Sequence, residues 1–257
     1  MKKVLITGGP TNEYIDEVMK ITNMSSGRIA IELANLFAEN GYDTSLFLTK
    51  GIKHPLLDKI SATENCSVTR FETTADLYNL LEQVSELQFD IIIHSAAVAD
   101  YKPEFSFRLE DMAEEIANFV NSHRECTIET LSHNIFEILK NPNCKVNDDT
   151  KISSVEPNLI VKLGLTPKII KHLREWFPNA CICGFKLLEN VPEQDLVDAA
   201  MKQINACNTN FVFANDLAEL RKGNMSRLVV VPSGYRNIKV DGAEGIFHLL
   251  DFWVKNR

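Results

Sequence analysis

Two short runs of small residues lie near the start of the chain. Gly8–Gly9 follows the apolar stretch Val4–Leu5–Ile6, and Ser25–Ser26–Gly27 stands just ahead of a helix-patterned segment that begins at Arg28. Glycines let a backbone approach a ligand closely, and successive amides can cradle a phosphate. Serines and open amides at a helix start form an anion site that the helix dipole strengthens. Each run also has an ordinary reading, a tight turn in one case and a helix cap in the other. Two such sites, with Lys151, Lys162, Lys168 and Lys202 downstream, suit a ligand with several phosphates or two phosphorylated ligands.

Two further strand ends carry chemistry. In "HSAAVADYKP" the small residues Ser95, Ala96 and Ala97 leave room for a flat or bulky ligand beside the backbone. Asp100 then presents a carboxylate that can bind a ribose, a base or a metal ion, or simply cap the strand exit. In "VFANDL", Asn215 and Asp216 end a buried strand, where capping explains them equally well. His94, inside its apolar run, reads as a hydrogen-bonded core histidine.

Several chemistries are excluded. "GGPTNE" is not GxGxxG, and "SLFLTKG" lacks the acidic residue that a dinucleotide site needs at the end of its second strand. No GxxxxGK[ST] and no HExxH occur, the histidines are scattered, and no metal ligands are assigned. A short-chain oxidoreductase would need a Tyr-xxx-Lys pair on a helix after the central strands, and none is expected at Tyr14, Tyr42, Tyr78, Tyr101 or Tyr235. A non-enzymatic nucleotide sensor with a degenerate site remains as the second alternative.

The elements that must position these residues follow from periodicity. Lys3–Ile6 reads as a strand and Arg28–Asn40 as a helix stopped by Gly41. "DTSLFLTKG" reads as a strand, "VTRF" as a short one, and Thr73 or Thr74 caps a helix with Leu77, Leu80, Leu81 and Val84 on its apolar face. After the strand "FDIIIHSAAVADY", residues 102–149 turn polar, acidic and helix-like and lose the βα rhythm, as an inserted flap would. "NLIVKLGL" then reads as a strand and "TPKIIKHLREWF" as a helix with Thr166 as N-cap and Pro167 at its first position. "ACICGFKLL" and "NFVFAND" read as strands around the helix "PEQDLVDAAMKQINA". "SRLVVVPSG" and "YRNIKVDG" form an antiparallel ribbon, and a terminal helix follows. The pattern predicts a doubly wound, Rossmann-like α/β fold with a mainly parallel sheet and helices on both faces. One domain, 1–257, carries the flap and the small ribbon.

With 45% hydrophobic and 24% charged residues, the 257-residue chain has material for a sizeable core, and its net charge of −8 argues against a nucleic-acid or anionic-membrane partner. The six cysteines show no CxxC pair, and Cys181 and Cys183 alternate within "ACICGF", as reduced thiols in a buried strand do. The start of the chain has no signal-peptide pattern and no apolar run is long enough to span a membrane, so a cytoplasmic protein is expected.

Taken together, "ITGGPTNEYID…ITNMSSGRIAIELA", "HSAAVADY", "KISS…LIVKLGLTPKII", "GFKLLEN" and "FVFANDL" resemble, in order and spacing and over nearly the whole chain, the phosphopantothenate–cysteine ligases of coenzyme A biosynthesis. That resemblance implies a stand-alone ligase joining 4′-phosphopantothenate to L-cysteine through an acyl-nucleotidyl intermediate. It implies CTP, favoured over ATP, as co-substrate, with Mg²⁺. A homodimer and a separate phosphopantothenoylcysteine decarboxylase as partner are also implied. By the same resemblance Asn23 and Lys151 are catalytic, and Gly8, Gly9, Ser25, Ser26 and Gly27 bind the acid substrate. Ser95, Ala96, Ala97, Asp100, Lys151, Thr166, Pro167, Lys168, Ile169, Phe185 and Lys202 match nucleotide-contacting positions. The chain departs from the family in four places, one being that the 102–149 insertion is longer than in the fused bacterial enzymes. "KISS" keeps only the first lysine of "KIKK", the second triphosphate lysine, expected near Ala206–Cys207, is missing, and "GFKLLEN" stands for "GFAAET". The expectation for the opening stretch is that its two small-residue turns are two walls of one site, with the arm between them delivering Asn23.

Overall fold

The computed structural model describes residues 1–146, 151–153 and 157–256, without the side chains of 234–237. In chain order the elements begin with β1 (Lys3–Gly8), β2 (Asn12–Tyr14), β3 (Lys20–Thr22), α1 (Arg28–Glu39), β4 (Asp43–Thr49), α2 (Leu56–Ser61) and β5 (Cys66–Phe71). Next come α3 (Thr74–Gln83), β6 (Ile91–His94), β7 (Tyr101–Arg108), α4 (Leu109–Ser122), α5 (Ile128–Lys140) and β8 (Lys145–Val146). The rest are β9 (Leu159–Leu165), α6 (Ile169–Trp176), β10 (Cys181–Leu188), α7 (Glu193–Cys207), β11 (Phe211–Asp216), α8 (Leu217–Arg221), β12 (Ser226–Val231), β13 (Gly234–Asp241) and α9 (Gly242–Lys255). They divide between two compact units, one of residues 1–11, 23–98 and 167–257, the other of residues 12–22 and 99–166.

The first unit is the Rossmann-like one. Its eight-stranded sheet runs β13-β12-β11-β10-β6-β1-β4-β5, parallel from β5 to β11. The strands bury both faces, so successive residues enter opposite cores. Val4 and Ile6, Ile91 and Ile93, and Cys181 and Cys183 pack under α1, α2 and α9, whereas Leu5, Ile92 and Ile182 pack against α3 and α6. Helix α3 opens with a capping box: Thr73 accepts from Asp76 N–H, and the Asp76 carboxylate accepts from Thr73 N–H. Chain order reverses direction at β1 and β6, which makes their carboxyl ends the switch point where open α/β sheets place ligands. All six cysteines are free thiols, with Cys181, Cys183 and Cys207 buried.

The second unit holds a three-stranded antiparallel sheet, β8-β7-β9, and the hairpin β2-β3. Phe105, Phe107 and Met112 form its core, with Ile116 and Ile138 packed on it. Residues 102–146 of the expected flap lie here, and 147–149 fall outside the described residues.

Four sequence expectations need correction. The strand "NLIVKLGL" is β9, which pairs with β7 in the small sheet and not with the parallel one. The antiparallel ribbon is no appendage, because β12 pairs with β11 and so extends the main sheet by two strands. Thr166 does not cap a helix: its N–H bonds Asp100 O at 3.1 Å and its hydroxyl bonds Ala99 O, continuing the β7–β9 ladder. Helix α6 accordingly starts at Ile169, with Lys168 at its N-cap position and no side-chain cap. A Tyr-xxx-Lys spacing does occur, at Tyr235 and Lys239, but on strand β13 and not on a helix.

Candidate functional site

At the switch point β1 runs out through Gly8 into a left-handed residue, Gly9, with φ +83°. A side chain there would meet Thr49 Oγ1 and Ile52 Cδ1 at 2.5 Å. The second small-residue run returns to the same spot. Gly27, also left-handed at φ +68°, is the N-cap position of α1, and a Cβ on it would lie 3.2 Å from the Gly9 nitrogen. The two turns therefore touch. Neither serine closes the first turn of α1: the helix has no side-chain cap, and Ser26 Oγ takes only the Arg28 N–H at 3.4 Å.

The end of β6 joins them. Ala97 N–H donates to Gly9 O at 2.9 Å, and Thr11 N–H to Ala97 O at 3.3 Å. Asn23 Nδ2 donates to the carbonyls of Ala97 and Val98, at 3.1 and 3.2 Å, so this exposed side chain is pinned to the strand exit. Ser95 is tied inward, its hydroxyl donating to Thr7 O at 2.7 Å. Gly8, Gly9, Asn23, Ser25, Ser26, Gly27, Ser95, Ala96 and Ala97 thus lie in one cluster, tied by backbone and side-chain hydrogen bonds.

Beneath it sits a buried pair, the expected core histidine His94 and a partner the sequence did not mark, Thr7. Thr7 Oγ1 lies 2.9 Å from His94 Nδ1 and accepts the Ala96 N–H at 3.3 Å. Burial pushes His94 down to about 4 from the ordinary 6.5, so its ring is neutral. A ring with its proton on Nε2 satisfies both contacts, as the Thr7 hydroxyl then donates to Nδ1. The core-histidine reading holds, with the addition that this histidine fixes the strand ends. Gln203, like Thr7, was not marked by the sequence. Its Nε2 is buried without a partner and lies 2.2 Å from where a Gly184 Cβ would stand. No local pattern announces such a donor.

The remaining expected residues of this unit are placed less compactly. Ile169 is buried among Leu5, Ile92 and Ile182, with Pro167 and Lys168 exposed before it. Phe185 packs on the core with its ring 5.4 Å from Phe213, and Lys202 is exposed on α7. Asp216 is a cap: it accepts from Ala218 N–H at 2.7 Å and from Val191 N–H at 3.0 Å.

In the second unit Asp100 is exposed, Thr166 is used as described, and Lys162 is engaged by Glu104 with its ammonium 5.1 Å from the Phe105 ring centre. Lys151 is exposed and Ile152 beside it is buried, whereas Ser154 of "KISS" lies outside the described residues. Asp16, in the turn of the β2-β3 hairpin, was not anticipated. It is 4% exposed and accepts from Val18, Met19 and Ile152 N–H. Those amides and the Lys151 charge hold its carboxyl below the ordinary range. Among the described residues no group of three or more His, Cys, Asp or Glu could hold a metal ion, and no helix is long and apolar enough to cross a membrane.

Fold and switch-point cluster define an α/β protein of the Rossmann-like class with an added antiparallel unit. Residues 1–110 match the family described as DNA/pantothenate metabolism flavoprotein C-terminal domain. Over 242 residues, 94% of the chain, it is 28% identical to the coenzyme A biosynthesis bifunctional protein CoaBC of Methanocaldococcus jannaschii, covering 47% of that protein. Over 84% of the chain it is 29% identical to CoaBC of Thermococcus kodakarensis, covering 41% of it. The chain therefore spans about half the length of the curated relatives it matches. The DNA/pantothenate metabolism flavoprotein of Streptococcus pneumoniae superposes over 100% of this chain and 99% of its own, with TM-score 0.73 and 27% identity. A Cab2 mutant in complex with phosphopantothenate-cysteine shares the fold at TM-score 0.67 and 20% identity, over 99% of this chain and 88% of its own.

Proposed function

We propose that the chain is a phosphopantothenate–cysteine ligase acting in coenzyme A biosynthesis. The observation that carries this reading is the contact between the Gly9 and Gly27 turns, with Asn23 pinned beside them to Ala97 and Val98. An acid–amino-acid ligase must hold two anions side by side, and two amide-lined turns meeting at a switch point offer that.

In the reaction a carboxylate oxygen of 4′-phosphopantothenate attacks the α-phosphorus of the nucleoside triphosphate, and the bond to pyrophosphate breaks. The cysteine amine then attacks the acyl carbon, the bond to the nucleoside monophosphate breaks, and the amine proton passes to solvent. The chain supplies position and charge. Gly8, Gly9 and Ser25–Gly27 bind the acid, and Ser95–Ala97, Asp100, Thr166–Ile169 and Phe185 the nucleotide. Lys151 and Lys202 offset phosphate charge. Donation by Asn23 to the acyl oxygen requires exchange of one of its two carbonyl contacts. Mg²⁺ would come with the triphosphate and offset its charge, and the described residues offer no cage of their own. CTP as the preferred nucleotide, a homodimer, a separate decarboxylase and a cytoplasmic setting complete the reading.

The test is incubation with 4′-phosphopantothenate, cysteine, Mg²⁺ and either CTP or ATP. Pyrophosphate and the matching monophosphate are expected, with CTP faster. Release of a diphosphate, or no turnover with either nucleotide, overturns the proposal.

A further inference from the structure

The turn between β2 and β3 is closed twice without the outer oxygen of Asp16. Ile15 N–H donates to Met19 O at 2.9 Å, and Asp16 Oδ1 takes the N–H groups of Val18 and Met19 at 2.7 and 2.6 Å. This is the local turn chemistry that aspartate ordinarily supplies. Oδ2 does something else. It accepts the Ile152 N–H at 3.0 Å, from a residue 136 positions further along the chain. Ile152 is itself only 5% exposed, whereas the lysine before it is in solvent. The peptide that follows Lys151 is thus fixed at both its amide and its side chain, and the fixing group sits on the arm between the two small-residue turns.

We infer that Asp16 is a positioning residue for Lys151, anchoring the backbone at Ile152 so that the lysine is presented from a set place. The inference rests on the ligase reading, which gives Lys151 its role. It also accounts for a departure noted above: with only the first lysine of the family's "KIKK" segment retained, one cation carries the loop's charge, and its placement matters more. A bond from a carboxylate to an amide in a buried setting is among the stronger kinds, and its loss leaves a buried N–H without an acceptor.

Asp16→Asn is the direct test. Its Oδ1 still closes the turn, but an NH₂ group now faces the Ile152 N–H. Amide hydrogen exchange, measured without nucleotide, should quicken about tenfold or more at Ile152 while Val18 and Met19 change little. Trypsin should cut after Lys151 faster by a similar factor. In the ligase assay kcat should fall about tenfold or more with the nucleotide KM within about threefold. Asp16→Glu should restore part of the rate. Adding Asp16→Asn to Lys151→Ala should cost nothing further, as expected of residues that act as a unit. If Asp16→Asn does not fold, Ile152→Pro removes the donated N–H with the hairpin intact and should lower kcat in the same way. Unchanged exchange at Ile152 overturns the anchor. Faster exchange with kcat retained, or a double variant that loses the product of both effects, overturns the positioning role. The exchange experiment needs no substrate, so failure of the anchor and failure of the ligase reading are read separately.

Discussion

Gly27 rests on Gly9: a Cβ added to Gly27 would stand 3.2 Å from the Gly9 nitrogen and 3.0 Å from the side chains of Leu48 and Ile52. Two turns separated by the whole arm of residues 12–22 are thereby brought into one wall, and a side chain on Gly27 would press on the Gly9 backbone. Gly27→Ala should destabilise the protein by about 1–3 kcal/mol, combining left-handed strain with overpacking. Gly41 has a similar φ of +80° with nothing within 4 Å, so Gly41→Ala carries the strain alone. Urea unfolding of the pair should show the larger loss at Gly27, and equal losses would mean that the contact is immaterial.

Asn23 is exposed, so Asn23→Ala should change stability by about 1 kcal/mol or less, the scale of a hydrogen bond to an accessible group. Its effect on ligation should be far larger, a loss of about 100-fold or more in kcat. Steady-state kinetics beside a thermal melt separates the two.

Lys151→Ala and Lys202→Ala remove exposed cations, and each should leave stability within about 0.5 kcal/mol. Pyrophosphate release should fall about 100-fold for Lys151→Ala, the more severe of the two. A melt shifted as strongly as the rate would reassign either lysine to a structural role.

His94 gives a pH signature. Its folded-state value of about 4 lies below the ordinary 6.5, so between these limits the unfolded chain binds the proton and the native state does not. Stability is therefore complete above the ordinary value and falls as pH drops toward the folded one, by about 3 kcal/mol over the whole window. Urea unfolding at about pH 7.5 and about pH 5 should differ by roughly 2 kcal/mol from this residue. His94→Met should remove that share, whatever the variant's stability near neutrality.

Much of this architecture was open to a reading of residues alone. The strand ending at Gly8, the helix starting at Arg28, the capped helix after Thr73 and the buried runs of β6, β10 and β11 all announce themselves, because each depends on neighbours within a turn or a strand. The small-residue runs at Gly8–Gly9, Ser25–Gly27 and Ser95–Ala97 are local in the same sense. Partition was not local. That "NLIVKLGL" pairs with Tyr101–Arg108, and that β12 adds to β11, depends on which edges are available once the rest has folded. The same holds for the polar atoms that tie the site together. Asp16 finds Ile152, Asn23 finds Ala97 and Thr7 finds His94 across 136, 74 and 87 positions, and no spacing in the chain marks those meetings. A buried hydrogen-bonding group must find a partner somewhere, but only the folded backbone fixes which one. Residue type determined what each could offer, and tertiary structure decided to whom.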